Sequence, residues 1–148
     1  MKIIPPLLLA VLIAPAASMA AEPASLTEVL ECGMPADKAL AFLNRESIPV
    51  DGSNVKLAEV TAYGVPVKRI AISKNDKFLQ ANFAMNRTGH GKLVAAAGLK
   101  AWDDEFGAGF RRSLLNGKNE LNVTHPDDPN AEDNEVLGFC IMSFRGAL

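Results

Sequence analysis

The spacing of apolar residues changes along this chain, and each change marks an expected element. Residues 3 to 17 form an almost unbroken apolar run behind Lys2. From Ser25 the spacing becomes helical. Ser25-Leu-Thr-Glu28 has the form of a capping box, in which Ser25 caps the first turn and Glu28 reaches back. Leu26, Val29 and Leu30 share the face that follows, and Gly33 is expected to end the helix. Pro35 suits the first turn of a second helix, where a missing N–H costs nothing. That helix is expected to run to about Arg45, with Ala36, Ala39, Leu40 and Leu43 on one side. Ile48 to Asn54 reads as loop.

The period then falls to two. Val55–Ala62 carries Val55, Leu57 and Val60, and Tyr63-Gly64 is a turn. Val65–Ser73 carries Val65, Val67, Ile70 and Ile72, with Lys68-Arg69 interrupting the alternation as a bulge would. Lys77–Met85 follows with Phe78, Leu79 and Phe83. Asn86–Gly91 is expected as loop and Lys92–Ala101 as a helix or a broken helix, with Leu93, Val94, Ala97 and Ala101 on one face and Gly98 offering an early end. Phe110–Leu115 and Glu120–Thr124 flank Asn116-Gly117, a strong signal for a two-residue type I′ hairpin turn. His125–Asn134 is an acidic loop. Glu135–Phe144 is the last strand, carrying Val136, Phe139, Cys140, Ile141 and Phe144.

The expected fold is α+β: an antiparallel sheet of about six strands, two to three helices packed on one face, and a single disulfide. Residues 1–20 are expected to be a cleaved signal peptide. Lys2 is the positive start, Ile3–Ala17 the apolar segment, and Ser18 and Ala20 meet the small-x-small rule ahead of Ala21. Pro5, Pro6 and Pro15 interrupt that segment, which is shorter than the roughly 20 residues of a membrane span. Residues 21–148 then form one globular domain of 128 residues. Export implies a periplasmic or secreted protein. The mature part holds 14 basic and 17 acidic residues, a net charge of −3. That balance argues against nucleic acid and anionic membranes as partners, since both demand a basic surface.

Cys32 and Cys140 are an even pair 108 residues apart, and in an oxidising compartment they read as one disulfide. They form no CxxC motif. The two-layer plan resembles secreted inhibitors of the β-lactamase-inhibitor type and the small outer-membrane assembly lipoproteins. Gly33-Met34 ahead of a helix matches the latter, but no lipid-anchor Cys follows the expected cut. No site residue carries over from either.

Catalytic motifs are sparse. There is no GxSxG elbow, HExxH or P-loop. His90, between Gly89 and Gly91, is the residue on which a hydrolase reading would rest, and its plainer reading is a solvated loop histidine. His125 before Pro126 suits a turn. The loop with Asp127, Asp128, Asn130, Glu132, Asp133, Asn134 and Glu135 offers oxygens but lacks the order of a calcium loop, so no metal and no cofactor is expected.

Asp103, Asp104 and Glu105 lie between Trp102 and Phe106. With Asp127, Asp128, Glu132 and Asp133 they form the expected partner-binding surface, the carboxylates on its rim and Trp102 at its centre. The expected function is binding without catalysis: an inhibitor or immunity-type protein that blocks an envelope-acting enzyme with a basic surface. The alternatives are a small hydrolase using His90 and an envelope-assembly or stress factor.

Overall fold

The computed structural model describes residues 25–56 and 59–144. The expected signal peptide, its cleavage site and residues 21–24 lie outside the described residues. Among those described, no helix is long and apolar enough to cross a membrane.

The chain is α+β. Helices α1 (Leu26–Leu30) and α2 (Ala36–Arg45) come first. Strands β1 (Asp51–Val55), β2 (Thr61–Ala62), β3 (Val65–Lys74) and β4 (Phe78–Asn86) follow. After a 3-10 turn at Arg87–Gly89 come α3 (His90–Ala97), β5 (Lys100–Asp104), β6 (Gly107–Leu114), β7 (Asn119–Thr124) and β8 (Glu135–Ser143). Eight strands form one antiparallel sheet, seven of them in the order β1-β3-β4-β8-β7-β6-β5, with β2 paired to β3 off that path. The last strand thus lies at the centre and joins two outer groups of three.

Alternation fixes the inner face. Along β4 and β8 the facing pairs Leu79–Met142, Ala81–Cys140, Phe83–Gly138 and Met85–Val136 all point into the core. Leu121 and Val123 of β7 continue that layer. The helices cover it with Val29 and Leu30 of α1, Ala36, Ala39, Phe42 and Leu43 of α2, and Leu93 and Ala97 of α3. Leu40, expected on the buried side of α2, is only partly covered, and Phe42 takes its place. Gly138 faces the Phe83 ring so closely that any Cβ there would overlap it.

Ser25 caps α1 as expected, its Oγ accepting the Glu28 N–H. Gly33 does not supply the left-handed stop. Cys32 does, at φ 62°. The Gly33 N–H donates to the Glu28 carbonyl and the Cys32 N–H to the Val29 carbonyl, a Schellman ending. A side chain in this conformation costs about 1 kcal/mol. Two tertiary ties hold it. Cys32 is bonded to Cys140 on the central strand, with 5.4 Å between their Cα atoms. Fully buried Asn119 donates from Nδ2 to the carbonyls of Cys32 at 3.0 Å and Met34 at 2.8 Å. Pro35 stands just outside α2 as its N-cap, in an extended conformation.

Four expectations need correction. The sheet has eight strands because β1 occupies the expected Ile48–Asn54 loop and β5 the expected end of the third helix. That helix begins at His90, inside the expected loop, and stops at the early end that Gly98 offered, left-handed at φ 62°. Val55–Ala62 is not one strand, since β1 ends at Val55 and β2 begins at Thr61. The two-residue turn with positive φ at both positions occurs at Tyr63-Gly64, not at Asn116-Gly117. The latter pair sits in a four-residue loop between Leu114 and Asn119, where Leu115, Asn116 and Gly117 all have positive φ. Glu31 explains the first of these turns, because its Oε1 accepts the Tyr63 N–H and its carbonyl the Tyr63 hydroxyl. The register of β3 against β4 shifts between Val67 and Arg69, where Lys68-Arg69 breaks the alternation.

The disulfide closes a 108-residue separation, and Cys32→Ala/Cys140→Ala is expected to lower stability by about 2–5 kcal/mol. Urea unfolding of both proteins checks this, and thiol titration of the unreduced, denatured wild type is expected to find no free thiol. Gly138→Ala is expected to cost about 1–3 kcal/mol by overpacking. Adding Phe83→Leu in the same protein is expected to recover part of that loss.

Candidate functional site

The β5–β6 hairpin turns through only two residues, Glu105 and Phe106, because Asp104 pairs directly with Gly107. The Asp104 Oδ1 accepts the Phe106 N–H at 2.8 Å and holds the turn in place. Phe106 therefore projects from the tip with 87% of its surface exposed. Behind it, Trp102 pairs with Gly109, and the indole lies over Gly107 and Gly109, so closely at Gly109 that a Cβ there would stand 3.2 Å from its Nε1. The guanidinium of Arg111 stands 5.3 Å from the ring centroid of Trp102, a cation–π contact. The indole is held half-buried, and among the described residues its Nε1 has no hydrogen-bond partner.

The acidic loop packs beside this hairpin. Trp102, Phe106, Gly107 and Ala108 form one wall of a groove of about 470 Å³, and His125, Asp127, Asp128, Pro129 and Asn130 form the other. The loop is ordered by its own hydrogen bonds. The Asp128 N–H donates to the His125 carbonyl, and Asp128 Oδ1 accepts the Asn130 N–H. His125 Nδ1 accepts the Asp127 N–H at 3.2 Å.

The structure thus brings together Trp102, Asp127 and Asp128, with Asp104 and Glu105 at the adjoining tip. It separates the rest of the expected surface. Asp103, exposed, alternates to the opposite face of β5 from Trp102 and Asp104. Glu132 is exposed and approaches Arg69 at 3.7 Å. Asp133 is exposed outside the groove. Glu135, part of the expected acidic loop, is only 7% exposed, and both of its oxygens accept from Arg69 Nη1, at 2.8 and 2.6 Å. Lys68 adds a third contact at 3.5 Å. The bulge in β3 directs two consecutive basic residues at one carboxylate, so Glu135 is bound within the fold.

Sequence reasoning did not choose Phe106 as the exposed anchor. The signal was the Asp104-Glu105-Phe106-Gly107 turn, which leaves its third residue no strand to pack on. It also placed His90 in a solvated loop. His90 instead opens α3 and is 8% exposed. Its Nε2 lies 3.2 Å from the Thr124 carbonyl and donates to it, and its ring meets Phe110 edge-on at 5.0 Å. Phe110 in turn stacks on His125 at 6.3 Å. Those contacts position α3 against β6 and β7. Among the described residues no group of three or more His, Cys, Asp or Glu side chains is arranged to hold a metal ion.

Burial pushes the His90 pKa below the ordinary 6.5; the Thr124 carbonyl opposes that and nearby His125 adds to it. The unfolded chain therefore takes up this proton before the folded one does. The group costs nothing above about pH 6.5, and stability falls as pH drops below that value towards the folded pKa. His90→Gln, which does not titrate, is expected to lose less stability than wild type between pH 7.5 and 5. Urea midpoints at the two pH values measure the difference, and equal losses would remove His90 as a source of acid sensitivity.

Comparison with protein families, with curated proteins and with solved structures finds no match to this chain.

Proposed function

We propose that the protein is an exported binding module, acting without catalysis as an inhibitor or immunity-type protein against an enzyme of the cell envelope. The observation that carries this reading is Phe106. A phenylalanine 87% exposed at a two-residue hairpin tip contributes nothing to the core. It stands on the wall of a groove that it shares with a pre-positioned tryptophan and whose far wall carries Asp127 and Asp128.

An aromatic anchor surrounded by polar groups is the usual make-up of an interface hot spot. The hairpin is short and stapled by Asp104, so little ordering entropy is lost when the tip enters a cleft. Asp104, Glu105, Asp127 and Asp128 give the rim one sign of charge, which steers a basic surface and sets its rate of approach. The expected signal peptide and the disulfide support a site of action outside the cytoplasm. His90 is engaged by a backbone carbonyl and an aromatic edge, which favours binding over a hydrolase built on that residue.

The test is inhibition of purified envelope-degrading enzymes, muramidases, amidases and proteases, by the mature protein at defined stoichiometry. One enzyme class is expected to be blocked at 1:1. Phe106→Ala is expected to weaken that inhibition by about 30-fold, the loss of a typical aromatic hot spot. Asp127→Asn/Asp128→Asn is expected to slow association and flatten its salt dependence, whereas Glu132→Gln/Asp133→Asn, outside the groove, has little effect. If no enzyme is inhibited, or if Phe106→Ala inhibits as well as wild type, the proposal fails.

A further inference from the structure

The sheet ends in two edges of different kinds. At β1 the register slips between Asp51 and Asn54, Gly52 adopts φ 85°, and Asp51 folds back onto the N–H and hydroxyl of Ser53. Such irregularity blocks the approach of another strand. At β5 all five residues pair in unbroken register with β6, without a bulge or proline, and among the described residues no strand lies beyond them.

Two loops fix which backbone groups of β5 are free. The two-residue turn makes Asp104–Gly107 a hydrogen-bonded pair, so Trp102–Gly109 and Lys100–Arg111 are hydrogen-bonded too. The four-residue loop closed by Leu114 and Asn119 leads to the same parity from the other side of β6. Ala101 and Asp103 therefore direct their N–H and C=O groups outwards, away from the sheet.

We propose that β5 pairs with β5 of a second copy of this chain, antiparallel, about a twofold axis at Trp102. In that register Ala101 faces Asp103 of the other copy and the two exchange both backbone hydrogen bonds. The axis repeats the exchange, so every outward group of Ala101 and Asp103 is satisfied. Lys100 faces Asp104 of the other copy, and Asp104 faces its Lys100. The strand Lys-Ala-Trp-Asp-Asp is thus complementary to its own reverse. Parallel pairing in register would set Lys100 against Lys100. Within one copy Lys100 stands opposite Arg111, a like-charge pair, and the incoming carboxylate relieves it. A single strand pair is a small interface, so the dimer is reversible and depends on concentration. This pairing requires no enzyme partner and is tested apart from the inhibitory function.

Sedimentation velocity of the mature protein from about 1 µM to about 1 mM, the range in which small interfaces associate, tests the proposal. The wild type is expected to pass from monomer to dimer. Trp102 is the only tryptophan in the chain, so its emission is expected to shift over the same range. Ala101→Pro removes an outward N–H while leaving the bonds to β6, and is expected to raise the dissociation constant at least tenfold. Lys100→Asp and Asp104→Lys are each expected to be monomeric alone and to form a heterodimer when mixed, because the mixture restores opposite charges at both ends. A wild type monomeric throughout, a dimer indifferent to Ala101→Pro, or variants that fail to associate on mixing would each overturn the proposal.

Discussion

The tie between Cys32 and the central strand is the constraint on which the remaining architecture rests. Cys32 follows a helix of only five residues, α1, which is too short to be stable by itself. Its ending places a cysteine in the left-handed conformation that glycine normally fills. The bond to Cys140 and the two hydrogen bonds from Asn119 hold that ending over β8 and β7. The covalent bond limits how far the unfolded chain can separate the two ends. The buried amide fixes the orientation of the α1–α2 connection, which a disulfide alone does not.

The sheet shares this dependence on its last element. β8 pairs with β4 on one side and β7 on the other, so neither outer group of strands has its central neighbour until the C-terminal strand is in place. The contacts that complete the core are therefore distant in sequence, an arrangement associated with slow folding. Phe83 and Gly138 show how tightly that insertion is specified, since the ring takes the space of the missing side chain.

Around the groove, tertiary structure sorts groups that are chemically alike. Glu135 and Asp127 belong to the same acidic run, yet one is buried against Arg69 and the other borders the groove with Trp102 and Phe106. Burying a carboxylate demands a fixed partner, and the bulge at Lys68-Arg69 supplies two cations for the one carboxylate that starts β8. Among the carboxylates left to solvent, Asp104, Glu105 and Asp127 stand at or beside the exposed hairpin tip. Among the described residues, the most exposed large hydrophobic side chain, Phe106, is thereby presented next to Asp104, Glu105 and Asp127.

Local pattern was enough to reveal the α+β class, the capping of α1 by Ser25, the helix from Ala36 to Arg45 and strands β3, β4, β7 and β8, because each depends on periodicity or on neighbours three or four residues away, and the disulfide was legible from an even cysteine count alone. The pairing of Trp102 with the acidic loop was anticipated from composition, and the groove joins Asp127 and Asp128 to it. What pattern did not carry was decided by distant contacts. β1 and β5 are edge strands with few buried side chains, so their sequences show little alternation. The left-handed turn went to Tyr63-Gly64 because Glu31 waited to accept its N–H and hydroxyl, while Asn116-Gly117 was absorbed into a longer loop. His90 was enclosed because α3 packs over Phe110 and Thr124. Phe106 was left exposed because it stands in the two-residue turn beyond the last hairpin pair, Asp104–Gly107. Sequence determines which residues prefer water and at what period; only the assembled sheet determines which of them find a partner.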